Sequence, residues 1–378
     1  MVRSTLVALV LSVVVGASVR GGELTPPAGP IAGTDATLLN AQWTTLPFTI
    51  TQPGTYRLTS NLTGVAGQHG IVIDTDNVTI DLNGFTLVGV PGSDRAITAT
   101  RGTTRSGITV ENGFVESWDG GGIDGNRIEF DGQLFRTEFV DTSVRHVTVT
   151  SIPGGNAIGC HDNSQVVHCI VRDSAVGVHL EKNGLIDSTS VWDSTSTGML
   201  TADECVVRDS SVRFVSGTGI ASGNFGLVRG CSVVGPGTGS GFGITAGTSV
   251  IIRECRVSKS ATGITVDPGT LIENCTAFDN DNFGIVASEN VTVRGCAVTG
   301  NAGDGIRGSG GADAANVIES NTVNDNGLWG INLMGTTGNF VYRNKIFGNG
   351  SGTINAPGSD APISASSVGA GPFDNIAN

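Results

Sequence analysis

Large side chains are scarce in this chain. Aromatic residues make up 5% of its 378 positions, with two tyrosines and three methionines. Compact cores normally draw on such bulky groups and on helix formers. Here Val, Ile, Thr, Ser, Asn and Gly prevail, which favours short strands and tight turns over helices. Charge is sparse too, at 15%, and basic residues are the minority: 21 Lys and Arg against 34 Asp and Glu, a formal net charge of -13. That balance excludes the basic face of a nucleic-acid binder and repels acidic polymers unless a local basic stripe or cations intervene. The low charge does not signify disorder, because short apolar runs recur along the whole length. Long apolar runs are missing. The longest, Leu6–Val15, falls well short of the roughly 20 residues of a spanning helix, so no transmembrane segment is expected.

That run reads as part of an export signal. Arg3 supplies the positive start, and Val15-Gly16-Ala17 offers small residues for cleavage after Ala17. Residues 1–17 are therefore expected to be a signal peptide and the mature protein secreted, periplasmic or on the cell surface. Seven cysteines in an exported chain suggest disulfides at first sight, with one left over.

Glycine is abundant, at 57 residues, and its placement is periodic. Gly177, Gly198, Gly219, Gly243, Gly263, Gly284, Gly305 and Gly330 are each followed by Val, Met or Ile, at spacings of 21, 21, 24, 20, 21, 21 and 25. A second signal alternates with it: an apolar residue, two variable ones, a small residue, then another apolar one two further on. Val228…Cys231…Val233, Ile252…Cys255…Val257, Ile272…Cys275…Ala277 and Val293…Cys296…Val298 show it most clearly. The same column runs upstream through Val147, Cys169, Thr189 and Ser210, and downstream through Asn321 and Asn344. Such a unit is too short for a strand plus a full helix, and the leucines of a leucine-rich repeat are absent. Three short strands joined by turns fit it. The expected fold is an all-β, single-stranded solenoid, a right-handed parallel β-helix of about 12 coils.

Pro53-Gly54-Thr55-Tyr56-Arg57-Leu58, then Asn77-Val78-Thr79-Ile80-Asp81-Leu82-Asn83-Gly84-Phe85, with the Gly-Ile coils after them, resemble secreted bacterial right-handed β-helix proteins of the pectin-lyase-like group. The resemblance spans roughly residues 48 to 350. It implies the fold; for function it implies a range of polysaccharide lyases, hydrolases, epimerases and adhesive or structural solenoids. The paired aspartates and Gly-His-Gly signature of the group's hydrolases are absent.

Alternation along each strand assigns the columns. If Ile252 and Val257 point inward, Arg253 points outward, Cys255 inward, and position 254 takes up a bend. Its equivalents Asp209, Gly230, Asn274 and Gly295 are types that tolerate a left-handed conformation. The cysteine column is then internal. Stacked coils repeat at about 4.8 Å, whereas disulfide Cβ atoms lie about 3.8 Å apart, so buried free thiols are expected. Inward Asn321 and Asn344 are expected to hydrogen-bond as a structural ladder.

Three candidate sites follow. Beside the thiol column runs an outward charged stripe: Arg145, Asp187, Arg208, Arg229, Arg253, Glu273, Arg294 and Glu319. Arg208, Arg229, Arg253 and Arg294 suit the carboxylates or sulfates of an acidic glycan; equally, Glu254 and Glu273 make the stripe a salt-bridge ladder. Next, aligning coils on Ala157, Gly177 and Gly198 puts His161, Glu181 and Ala202 in one column and Asp162, Lys182 and Asp203 in the next, with His179 on the adjoining strand. Imidazole, carboxylate and amine so grouped suit proton abstraction or metal binding, although each is also ordinary in an exposed turn. Last, the acidic, glycine-rich segment Glu116 to Gly132 interrupts the period. Its Asp119, Asp124, Glu129 and Asp131 suit Ca²⁺; a solvated insertion is the plainer reading.

Residues 18–50 are expected to cap the first coil, 51–350 to form the β-helix, and 351–378 to form a C-terminal cap or tail. Extracellular carbohydrate binding, or a structural solenoid, is the first functional expectation. A lyase, hydrolase or epimerase acting on an acidic glycan is the alternative.

Overall fold

The computed structural model describes residues 36–39, 45–130, 134–311, 314–356, 365–366 and 375–377, with the backbone alone at 127–130, 134–135 and the last two segments. The expected signal peptide at 1–17 lies outside them. No helix occurs among these residues; they form a parallel solenoid of about 14 turns. Stacking begins ahead of residue 51, where Ala36–Leu39 already pairs in parallel with Gly54–Leu58.

Each turn carries three short strands, one per face. Face A includes Val206–Arg208, Leu227–Arg229, Ile251–Arg253 and Leu271–Glu273. Face B includes Ser211–Arg213, Ser232–Val234, Arg256–Ser258 and Thr276–Phe278. Face C includes Thr218–Ser222, Phe242–Ala246, Thr262–Val266 and Ile285–Ala287. Each of these strands pairs with its counterpart one turn on, as in Val207↔Val228, Val228↔Ile252 and Ile252↔Ile272. A single residue in the left-handed region turns most corners. Asp209, Gly230, Glu254, Asn274 and Gly295 do so between faces A and B, at φ 49, 64, 56, 54 and 63°, the column expected to bend. Asp193, Phe214 and Asp279 do so between B and C, and Asn183, Glu204 and Asn290 between C and A.

The inside is a stack of aliphatic columns. Ile220, Ile244, Ile264, Ile285, Ile306 and Ile331 lie in register on face C, each fully buried. The glycine preceding each of them is a steric requirement. A Cβ on Gly243 would sit 2.1 Å from Val257 Cγ1 and 2.5 Å from the carbonyl oxygen of Gly263. Cys169, Cys231, Cys255, Cys275 and Cys296 are buried and free. Each of the last four directs its thiol at a backbone carbonyl of the preceding turn, at 3.6 to 3.8 Å.

Toward the C-terminal end the corners fill with asparagine. Asn321 donates to Asn344 Oδ1 at 2.9 Å, the ladder expected from sequence. A second ladder, between faces B and C, runs Asn280–Asn301–Asn326–Asn349, with amide-to-carbonyl distances of 2.8, 2.9 and 2.9 Å. Backbone N–H groups of Asn280, Asn301 and Asn326 also donate into it. Beyond Gly350, Gly352–Asn355 pairs with Trp329–Asn332, and Asn375–Ala377 with the strand at Lys345.

The segment 116–132 is not one solvated insertion. Trp118 is fully buried, and Gly121–Asp124 is a buried rung of face C, paired with both Arg95–Ile97 and Ile158–Gly159. Its glycines serve packing: a Cβ on Gly122 would meet the Ala157 carbonyl oxygen at 2.3 Å. What is inserted begins after Gly125. Asn126–Phe130 and Leu134–Val140 pair antiparallel, and Thr104–Ser106 pairs parallel with the second of them, giving a separate three-stranded sheet.

Candidate functional site

Face C presents one concentrated group of polar side chains, at the turns flanking this insertion. Arg95, Asp124 and His179 all come from its strands, and the glycine at 159, in register between the last two, leaves room above the sheet. Asp124 fills that room, since a Cβ on Gly159 would lie 2.5 Å from Asp124 Oδ1. The Asp124 carboxylate is 2% exposed. It accepts from Arg95 Nε at 3.0 Å, Asn156 Nδ2 at 3.2 Å and the Asn126 backbone N–H at 3.1 Å. Burial of this charge is matched by a guanidinium and two further donors, the condition under which a buried carboxylate is tolerated.

Asn126, the first residue of the inserted hairpin, links this pair to the predicted histidine. Its amide donates to Glu181 Oε1 at 3.2 Å and faces His179 Nδ1 at 3.3 Å. His179 Nε2 lies 3.4 Å from the same Glu181 oxygen. The arrangement suits a neutral ring with its proton on Nε2. Burial pushes the His179 imidazole below its usual range, against the opposing pull of Glu181. His161 stands alongside, its Nε2 3.6 Å from Glu138 Oε1. Its Nδ1 is 3.1 Å from Asp162 Oδ1 but is not aligned for a hydrogen bond and has no other partner.

Of the six residues grouped from sequence, then, His179 meets Glu181 and His161 neighbours Asp162. Lys182 enters through its backbone N–H, which donates to Asp162 at 3.1 Å. Asp203 is taken by Asn224, backbone and side chain, at 2.8 and 2.9 Å. Arg95, Asp124, Asn126 and Glu138 complete the group and were not linked to it by sequence reasoning. Their one legible sign was a charged residue beside an otherwise apolar rung, Arg95-Ala96-Ile97 and Ile123-Asp124.

The Ca²⁺ residues are dispersed where they are described. Asp119 caps the Gly92 N–H at 2.6 Å, while Asp124 is held by Arg95. The side chain of Glu129 and the whole of Asp131 lie outside the described residues. Among the described residues no three His, Cys, Asp or Glu converge on a metal-sized point.

The arginines of the outward stripe on face A are all paired. Arg145 meets Glu111 at 2.6 Å, Arg208 meets Asp187 at 2.7 Å, and Arg229 meets Glu254 at 2.9 Å. Arg253 and Arg294 share Glu273, each at 2.8 Å. All of these guanidinium groups are 41 to 57% exposed, so each pair contributes little to stability.

Residues 198–346 match the family model described as the right-handed beta helix region. The chain is a right-handed parallel β-helix. No characterised sequence matches it significantly. Among solved structures, this β-helix is similar to the periplasmic alginate epimerase AlgG, at 12% identity over 90% of this chain and 82% of that one, with a TM-score of 0.48. It is similar to the A-module of the Azotobacter vinelandii mannuronan C-5 epimerase AlgE4, at 15% identity over 86% and 91%, with a TM-score of 0.42. It is also similar to the catalytic domain of a GH87 alpha-1,3-glucanase, at 11% identity over 84% and 64%, with a TM-score of 0.40. Among the described residues, no helix is long and apolar enough to cross a membrane.

Proposed function

We propose that this β-helix is an exported protein that binds extracellular polysaccharide, the polymer lying along the solenoid axis on face C. The observation that carries this reading is the convergence of Arg95, Asp124, Asn126, Asn156, His179 and Glu181 at one place on that face. Asn126, His179 and Glu181, half-buried beside the buried Arg95–Asp124 pair, are fixed donors and acceptors that suit sugar hydroxyls. From His179 the outward column continues through Leu200, Ala221, Thr245, Thr265 and Val286, a strip without charge. A linear chain can lie on it without meeting a buried ion. The test is calorimetric titration with soluble neutral and uronic polysaccharides. Wild type is expected to bind, and Asn126→Ala to weaken binding with the fold intact by circular dichroism. Equal affinities would remove face C from the reading.

A second reading, polysaccharide lyase or epimerase activity, is favoured by one feature. Burial lowers the proton affinity of the His179 imidazole beside a carboxylate, which favours the neutral form a proton-abstracting base requires. Incubation with polyuronates, with and without Ca²⁺, tests it through the ultraviolet absorbance of unsaturated products and deuterium uptake at the sugar. Neither signal in any polymer would leave binding alone.

A further inference from the structure

The arginines of face B differ from those of face A. Arg172, Trp192 and Arg213 occupy one outward column on three consecutive turns. Arg172 and Arg213 are exposed and, unlike Arg145, Arg208, Arg229, Arg253 and Arg294, have no carboxylate within ion-pair reach among the described residues. Arg172 instead lies over the Trp192 ring, 4.1 Å from its centroid. One turn further on, Arg213 and Phe214 join Trp192 and Asp193 around an open pocket of about 190 Å³. Phe214 is 51% exposed and sits at the left-handed corner residue, φ 56°, which turns its ring out of the core. The Trp192 indole N–H is buried without an acceptor.

We infer that this pocket is a second carbohydrate site, specific for an anionic sugar. It rests on the reading that the protein binds polysaccharide, but on a different face and different residues. The chemistry divides among the four lining side chains and Arg172 beside them. Phe214 and the indole edge offer apolar surface to the C–H face of a pyranose ring. Arg213 has a free guanidinium fork that matches a carboxylate or a sulfate. Arg172, packed on the indole, adds positive potential from the adjacent turn without closing the pocket. Asp193, the one acidic group in the lining, accepts from sugar hydroxyls and disfavours dense anionic charge. The site therefore suits one charged sugar at a time. On an acidic protein, an aromatic patch flanked by two uncompensated guanidinium groups is the surface on which a polyanion meets least repulsion.

The test uses the full mature protein and three probes: polygalacturonate, dextran sulfate and unmodified dextran. Binding is measured at low and at physiological salt for wild type, Arg213→Ala, Phe214→Ala and Asp193→Asn. Wild type is expected to prefer one or both anionic polymers to dextran and to lose that preference as salt rises. Arg213→Ala is expected to weaken anionic binding about tenfold and to leave dextran binding unchanged. Phe214→Ala is expected to weaken all bound polymers, and Asp193→Asn to strengthen the anionic ones. Preference for polygalacturonate identifies the carboxylate, and preference for dextran sulfate the sulfate, as the recognised group. Anionic binding that Arg213→Ala and Phe214→Ala leave unaltered, while Asn126→Ala weakens it, overturns this site and leaves face C standing. Absence of binding to every polymer overturns both.

Discussion

Replacing Asn301 by alanine should be among the most damaging single changes of a polar residue in this protein. Asn301 is 1% exposed and sits in the middle of the ladder between faces B and C. Its carbonyl oxygen accepts from the backbone N–H of Asn280 at 3.2 Å and from the Asn280 amide at 2.8 Å. Its own amide donates to Asn326 Oδ1 at 2.9 Å and to the Ala277 carbonyl at 3.1 Å. Alanine leaves two buried Asn280 donors without an acceptor, whereas Asn326 Oδ1 keeps the backbone N–H of residue 301. An orphaned buried donor costs about 1–3 kcal/mol, so the expected loss is about 3 kcal/mol or more. Equilibrium unfolding in urea reads it as a lower midpoint at unchanged slope. Asn349→Ala, at the half-buried end of the same ladder, should cost clearly less because water reaches the freed groups. A loss within about 0.5 kcal/mol for Asn301→Ala, the scatter of ordinary surface changes, would refute the view that the ladder satisfies the corner.

Ile285→Asp places a carboxylate between Ile264 and Ile306 in the closed column and should cost about 4 kcal/mol or more; an unchanged melting temperature would contradict the register. The thiols of Cys231, Cys255, Cys275 and Cys296 should resist alkylation in the native protein and react fully after denaturation, with mass spectrometry of unreduced peptides finding no disulfide. Burial pushes the Cys169 thiol up to about 12 from an ordinary value near 9. The unfolded chain therefore ionises it first, and its contribution is intact below pH 9 and lost as pH rises toward 12. Stability measured against alkaline pH in wild type and Cys169→Ser checks this. His179 has the opposite sense: its depressed value makes its contribution intact above its ordinary 6.5 and lost as pH falls below it, which NMR titration of the ring detects as a histidine still neutral where a free one is charged.

The repeating part of the fold was legible because its requirements recur at a fixed interval. Glycine before the inward isoleucine, a left-handed residue after the outward arginine, and a small inward side chain after that are each local necessities of a three-cornered turn. They therefore appear in the sequence every time. The ladder Asn280–Asn301–Asn326–Asn349 obeys the same logic at the corner between faces B and C, apart from the column through Cys231 and Asn321. The polar group on face C is different in kind. Asn126 reaches His179 and Glu181 across 53 and 55 residues, from a hairpin that occurs once, so no period announces it. For the same reason Gly120, Gly121 and Gly122 looked like a loose loop. Their need for glycine comes from Asp94, Arg95 and Ala157 on other turns.

One consequence of the shared carboxylate at Glu273 concerns how such a chain changes length. Each turn bonds only to its two neighbours, so a whole turn can be removed by a single in-frame deletion without disturbing the rest. Excising 271–291 would bring Thr292 onto Ile251, Cys296 onto Cys255, Asn301 onto Ser260 and Ile306 onto Ile264. Every inward column would close again with compatible side chains. The outward one would not: Arg294 would land directly on Arg253, and the carboxylate that holds both would be gone with the excised turn. Across this excision the interior closes again, while the exterior remembers which turn stood beside which. That outward mismatch is cheap, since exposed pairs of this kind contribute little; the order of charges along face A records which turns were neighbours without deciding whether a turn can go.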